Sequence, residues 1–415
     1  MTELSAQPGE ADREALVESL RQAITEHISG LALDAPDLGE SRTKSAVRLS
    51  HESHRRDVFA KERLRLQREW LRLSEWFAVG REIDPTKIKP GLVAVDPEKD
   101  TGLVFRLATL LWSVPVSRGF GRRMRYLVID EQNGKLIGLF ALGDPVFNLR
   151  VRDAFVGWTV DQRRDRLVGV LDAFAVGAVP PYSGLLGGKL VASLMASDEV
   201  SRDFDRRYAN TTGIISKEPK EAHLAMITVT SALGRSSLYN RVSLPGLVKL
   251  QRLGNTEGWG HFHVPDPVFA DMRRLLKMDG HKYAAGYRYG QGPNWRLRVI
   301  RESLSRLGMS PAILRHGISR EVFAMPLANN WRPYLLGDVD TLDANHATTA
   351  SLSDAAMSRW VLPRAKRCPE ALSWTNADRT ALFQPMFQSP QVQAGQGMST
   401  GSGDAITLWE EGDPG

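Results

Sequence analysis

Four aspartates stand where an acid could do chemistry: Asp130 after the apolar run MRYLVI, Asp144, Asp153 in RVRDAFVGW, and Asp172 at the head of AFAVGAV. A metal-dependent nuclease or transposase needs two or three such carboxylates on adjacent elements, holding a pair of metal ions ~4 Å apart. Asp153 and Asp172 are the catalytic candidates of that kind. Each also has a structural account. Asp153 lies beside Arg150 and Arg152, which would pair with it, and Asp172 opens an apolar run, where a carboxylate caps or hydrogen-bonds in the core. His261 and His263 flank Phe262, so on a strand they would share a face and could reach one metal ion; His281 and His316 follow. No acid or cysteine stands at a diagnostic spacing from them. These histidines read as packed or surface side chains, and no metal site is expected.

A glycine-rich stretch, PPYSGLLGGKLVAS (180–193), invites comparison with a phosphate loop. The Walker pattern requires Gly, four residues, then Gly-Lys-Ser/Thr. Counted back from Gly188-Lys189, the first position is Ser183 and the last is Leu190, so the first glycine and the Mg²⁺-binding hydroxyl are both missing. That excludes a P-loop NTPase. Gly184, Gly187, Gly188 and Lys189 stay as candidates for cofactor contact, although no cofactor is expected.

Charge is the stronger signal. Residues 281–320 carry eight Lys/Arg against one acid, Glu302, an excess that alone exceeds the net +6 of the 415-residue chain. Arg118, Arg122, Arg123 and Arg125 form a second cluster with no acid between them. Such local excess is the footprint of a polyanion partner, DNA or RNA. In HKYAAGYRYGQGPNWRLR (281–298) the arginines alternate with Tyr283, Tyr287, Tyr289 and Trp295, residues whose rings can stack on exposed bases. Glycines 286, 290 and 292 would let the backbone approach a ligand closely. Arg288, Arg298, Arg301 and Tyr289 are the candidate contacts here, with Arg118, Arg122 and Arg123 in the first cluster. Arg296 and Arg298 are two apart and would point roughly 200° from each other on a helix. Arg298 and Arg301 share a face, so Arg296 is expected to stand apart.

These residues need a scaffold. Leu16, Leu20, Ile24 and Ile28 recur every four positions, predicting a helix over 12–29, and a second, basic helix spans about 44–78. Residues 81–100 read as a Pro-rich linker. MRYLVID (124–130) and KLIGLFALG (135–143) predict a hairpin with Asn133-Gly134 in its turn. A buried strand near 170–179, a helix at 184–197 and a strand at 223–231 follow. Helices are expected within 265–308 and a strand at 321–328. The Gln/Gly/Ser-rich end reads as disordered after about 385. No stretch approaches the ~18 apolar residues of a membrane span, and the polar start MTELSAQPGEADREAL lacks a signal-peptide pattern. With Cys368 as the lone cysteine, the natural home is a reducing cytoplasm with no membrane partner.

The order of hairpin, buried strand, Gly-rich loop, helix and strand resembles the GNAT acyltransferase fold. That resemblance implies coenzyme A pyrophosphate at the helix N-terminus and gives Tyr239 the place of a proton-donating tyrosine. The GNAT loop reads Arg/Gln-x-x-Gly-x-Gly/Ala. Residues 181–186 put Pro and Leu at its outer positions, and residues 184–189 put Gly and Lys there, so neither register fits. A broader likeness comes from several blocks in order, among them VPVSRGFGRRMRYLVID (114–130), LDAFAVGAVPPYSGLLGGKL (171–190), TVTSALGRSSLYNRV (228–242), GWGHFHVP (258–265), RYGQGPNWRLRVIRESL (288–304) and LRHGISREVFAMPLA (314–328). Together they resemble the DruA-like family of the Druantia anti-phage defence system. The resemblance implies a defence role alongside other system components, a large helicase among them, and brings no catalytic residues to carry across. A GNAT-type acyltransferase, or a transposon-associated nuclease or transposase, are the alternatives. The expected architecture is mixed α/β: an N-terminal helical region (1–80), the linker, a GNAT-like sheet core (101–245), a basic C-terminal α+β lobe (246–340) and an extension (341–415).

Overall fold

The structure, a computed structural model, describes residues 8–31, 40–116, 121–212, 219–260, 264–286, 293–315, 319–345 and 347–384. They fall into two compact units. One joins the residues up to Asp57 with Glu257–Arg320, and the other joins Val58–Thr256 with the residues from Glu321 onwards.

The larger unit is built on a seven-stranded sheet. Its strands are β1 (Pro90–Ala94), β2 (Arg123–Asp130), β3 (Lys135–Gly143), β4 (Val170–Ala178), β7 (Met226–Thr230), β10 (Gln251–Asn255) and β11 (Glu321–Pro326), in the order β1-β2-β3-β4-β7-β11-β10. Neighbours are antiparallel except for β4 and β7, which run parallel. Two short ribbons, β5 (Asn210–Thr212) with β6 (Pro219–Glu221) and β8 (Ser243–Leu244) with β9 (Val248–Lys249), stand outside the sheet.

Side chains alternate between faces along a strand. On one face Tyr126, Val128, Phe140 and Leu142 pack with Leu190, Val191 and Leu194 of α6 (Gly187–Leu194) and with Leu352 and Ala356 of α11 (Thr349–Ala356). On the other face Leu127, Ile129, Leu139 and Ala141 pack with Val104, Leu107 and Ala108 of α3 (Asp100–Thr109). Leu66 and Leu73 of α2 (Glu40–Ser74) and Phe383 of α13 (Asn376–Phe383) close that second core. Burial on both faces is why these strands read as continuous apolar runs. The connections carry α4 (Arg150–Val156), α5 (Val160–Arg166), α7 (Asp198–Tyr208), α10 (Trp331–Leu336) and α12 (Leu362–Arg367).

The smaller unit is helical. Leu16, Leu20 and Ile24 of α1 (Pro8–Leu31) are buried with Phe269, Met272, Leu275 and Leu276 of α8 (Asp266–Met278) and with Val299, Ile300 and Leu304 of α9 (Pro293–Arg306). Asp279 fastens this cluster. It accepts from Nε of Arg13 at 2.7 Å and from Nη1 of Arg306 at 2.5 Å.

The mixed α/β class is as expected, but the chain is divided differently from its linear order. The 246–340 stretch is shared: β10 and β11 complete the sheet, and only 257–320 joins the N-terminal helix. The five residues Glu321–Met325 are all buried, which suits an interior strand between β7 and β10 and no exposed lobe. The 81–100 stretch holds β1, with Pro90 opening an edge strand, a position where proline is tolerated. The disorder expected after about 385 falls outside the described residues. Among the described residues no helix is long and apolar enough to cross a membrane.

Candidate functional site

A polar row crosses the middle of the sheet at one level. Arg123 on β2 pairs in register with Gly143 on β3, Gly143 with Asp172 on β4, and Asp172 with Thr228 on β7. The Thr228 hydroxyl donates to Oδ1 of Asp172 at 2.7 Å. The Arg123 guanidinium lies over the Phe174 ring, 4.4 Å from its centroid, and occupies the space that a Cβ on Gly143 would need. Burial pushes the Asp172 carboxyl above its ordinary range, against the pull of the Thr228 hydrogen bond and of Arg152 and Arg123. Burial, and then the charge of Asp172, raise the Tyr239 phenol. Of the catalytic candidates, Asp172 belongs to this row, while the Tyr239 ring packs edge-on against Phe323, 5.7 Å between centroids.

Asp153 has a different setting. It accepts from Nε and Nη2 of Arg152 at 2.9 and 2.6 Å and from Nη1 of Arg163 at 2.8 Å. Arg152 is fully buried and also donates to the carbonyls of Val146 and Phe147. Asp153 therefore answers a buried cation, the pairing its arginine neighbours implied. An open depression of about 570 Å³ adjoins it, lined among others by Arg150, Trp158 and Arg163.

The loop candidates face protein. A Cβ on Gly187 would meet the Tyr182 carbonyl at 2.6 Å, one on Gly188 would meet Leu238 Cδ1 at 2.7 Å, and one on Gly184 would meet the Ala371 side chain at 3.0 Å. The Gly184 carbonyl accepts from Nε of Arg364 at 3.2 Å, and Lys189 is only 6% exposed. Each glycine has a packing reason to be a glycine.

Of the first arginine cluster, Arg122 is turned inward. Its Nε meets Oδ1 of Asp144 at 2.6 Å, and its Nη1 and Nη2 donate to the carbonyls of Val168 and Val170 at 2.6 and 3.2 Å. That use is structural and corrects its assignment to a nucleic-acid surface. Arg123 serves the polar row. Arg118 lies outside the described residues, as do Arg288, Tyr287 and Tyr289 of the aromatic loop and His261, His263 and His316. Among the described residues no group of three or more His, Cys, Asp or Glu side chains is placed to hold a metal ion.

The helical unit presents the remaining candidates. On α9, Trp295, Val299 and Ile300 are buried, while Arg298, Arg301 and Ser305 are exposed. Arg296 does stand apart. It pairs with Asp266 at 3.0 Å, donates to the Val264 carbonyl at 2.8 Å and lies 4.1 Å from the Phe269 centroid. Arg298 reaches the Tyr283 hydroxyl at 3.5 Å, and Lys282 sits 5.5 Å from the same ring. Arg301 lies 5.5 Å, and Arg315 6.0 Å, from the centroid of Trp259. Trp259 and Arg315 face each other in an isolated antiparallel bridge.

The family model for Druantia protein DruA matches residues 41–337. The chain belongs to the DruA family. It is also 45% identical over 365 residues to the Druantia protein DruA of Escherichia coli (strain UMEA 4076-1), an alignment covering 86% of this chain and 90% of that protein. The resemblance read from the blocks between 114 and 328 is borne out. No solved structure matches. The stretch matched by the DruA model contains both the polar row and the basic face of α9.

Sequence reasoning missed two members of that face in this DruA-family chain. Trp259 entered only as a letter in GWGHFHVP, and Arg315 only as part of a charge count. Their association depends on the bridge between segments 56 residues apart, which no local pattern announces.

Proposed function

We propose that this DruA-family protein is a component of a Druantia-type anti-phage system that contacts nucleic acid through the basic face of α9 and its surroundings. One observation carries the reading. Arg301 and Arg315 are exposed and pair with no carboxylate among the described residues, whereas Arg296 and Arg306 of the same helix are held by Asp266, Asp279 and Glu302. Exposed cations not neutralised by an internal carboxylate are what phosphate contacts require. The partners implied by the family, a large helicase among them, belong to the same proposal, as does a cytoplasmic setting.

A GNAT-like scaffold for the sheet unit is part of the same reading, and the order of elements supports it. The β2–β3 hairpin, β4, the glycine-containing loop, α6 and β7 follow one another in that order, and β4 and β7 form the parallel pair. Transferase chemistry gains no support, because Tyr182, Leu238 and Ala371 fill the space beside the loop glycines.

The test is binding of the full chain to duplex and single-stranded DNA and RNA at increasing salt. Retention at low salt is expected, with log K falling linearly against log salt as counterions are released. No retention of any of these at low salt would sink the reading.

A further inference from the structure

We infer that Trp259, set between Arg301 and Arg315, is a stacking platform for an unpaired base, so that the ligand of the basic face is single-stranded nucleic acid. The inference rests on the nucleic-acid reading above and adds the strand state that the face selects.

Trp259 is 41% exposed and is the one tryptophan among the described residues that belongs to the exposed class. An indole at the surface leaves apolar area in water, so the fold would ordinarily bury it, as it does Trp295 at 6% exposure. Here the backbone instead holds the ring outward. Trp259 is bridged to Arg315, and the Gly260 N–H donates to the Leu314 carbonyl at 3.0 Å. The two guanidiniums lie within the ~6 Å reach of a cation–π contact. Both are exposed and unpaired with carboxylates among the described residues. Either can swing from the ring to a phosphate and leave its place to a base.

A second cation-flanked ring stands near the other end of the stripe. Tyr283 has Lys282 beside it and Arg298 at its hydroxyl, and Arg298 is three residues from Arg301 on α9. The row Tyr283, Arg298, Arg301, Trp259 therefore sets two cations between two aromatic rings. That suits a strand whose bases are splayed and whose phosphates follow the groove. A duplex keeps its base faces stacked and would use only the cations.

The test is fluorescence anisotropy of the full chain with labelled oligo(dT), oligo(rU) and a blunt duplex of the same length. Wild-type protein should bind a single strand more tightly than the duplex, and the stronger of the two single strands identifies the sugar. Trp259→Ala should weaken single-strand binding about tenfold and leave duplex binding unchanged. Trp259→Phe should keep most of the affinity. Trp259→Leu, which retains apolar bulk without an aromatic face, should behave like the alanine variant at wild-type melting temperature. If binding persists but Trp259→Ala and Trp259→Leu cost nothing, or cost the same on strand and duplex, the platform is overturned while the nucleic-acid reading stands. If wild-type protein binds none of the oligonucleotides, both fall.

Discussion

The guanidinium of Arg123 passes over Gly143, its in-register neighbour on the next strand, with Cζ only 2.8 Å from where a Cβ would stand. Gly143 is thus a glycine because a cation crosses it on the way to Phe174 and the Asp172 side of the sheet. A methyl group there would push the Arg123 side chain off its ring. Gly143→Ala is expected to destabilise the chain by about 1–2 kcal/mol, the usual scale for overpacking and a lost cation–π contact. The cost should largely vanish in an Arg123→Ala background. A double-mutant cycle by denaturant unfolding measures that coupling, and simple additivity would show that the two residues do not depend on each other.

Asp172 gives a prediction with a definite sign. Burial holds its folded pKa above the ordinary value, so the carboxylate form is disfavoured by folding. The destabilisation is fully present above the folded pKa. It is relieved as pH falls through that value towards the unfolded one, about 3.9. Asp172→Asn keeps an acceptor for the Thr228 hydroxyl and removes the charge. It should raise stability at neutral pH, on the order of 1 kcal/mol, with the advantage shrinking on acidification. A loss of stability at pH 7 would mean that the attraction of Arg123 and Arg152 outweighs burial.

The contrast between the two sites shows what a linear reading can reach. The β2–β3 hairpin and the helices α1, α8 and α9 were legible because apolar periodicity and turn residues are local. Asp153 was legible as an ion-paired side chain because Arg152 is its neighbour. That Arg296 stands apart from Arg298 and Arg301 followed from helical phase alone; its inward turn to Asp266 and Val264 did not. The row Arg123–Gly143–Asp172–Thr228 was not legible: it depends on the register of four strands spread over more than one hundred residues. Arg122 was misread for a related reason. Its acceptors, the Val168 and Val170 carbonyls, lie 46 and 48 residues away, so charge density alone suggested solvent.

The helical unit should carry an acid-sensitive lock. Asp279 accepts from Arg13 of α1 and Arg306 of α9, and these hydrogen bonds hold its carboxyl below the ordinary value. The stabilisation is complete above the unfolded pKa of about 3.9 and is lost as pH falls through the lower folded value. Asp279→Asn should cost about 1–2 kcal/mol at pH 7, discounted for the part-exposed arginines. The gap from wild type should close under acid. Thermal melts of both proteins from pH 7 downwards check this, and a gap that stays constant would remove the carboxylate from the account.

The helical phase of α9 can be tested through salt. Arg298 and Arg301 are exposed on one side of the helix, while Arg296 is bound to Asp266 and the Val264 carbonyl and covers Phe269. If the exposed side meets a polyanion, each of Arg298→Ala and Arg301→Ala removes one phosphate contact, and each should flatten the plot of log K against log salt by about one unit. Stability should hardly change in either. Arg296→Ala should do the opposite. Its slope should match wild type, while unfolding should become easier by about 1–3 kcal/mol, because a buried carbonyl and a carboxylate lose their donor and Phe269 loses its cover. The two readouts, slope and stability, therefore sort three arginines within six residues into two classes. A slope that responds to Arg296 and not to Arg298 or Arg301 would place the binding surface on the side of α9 that faces Asp266.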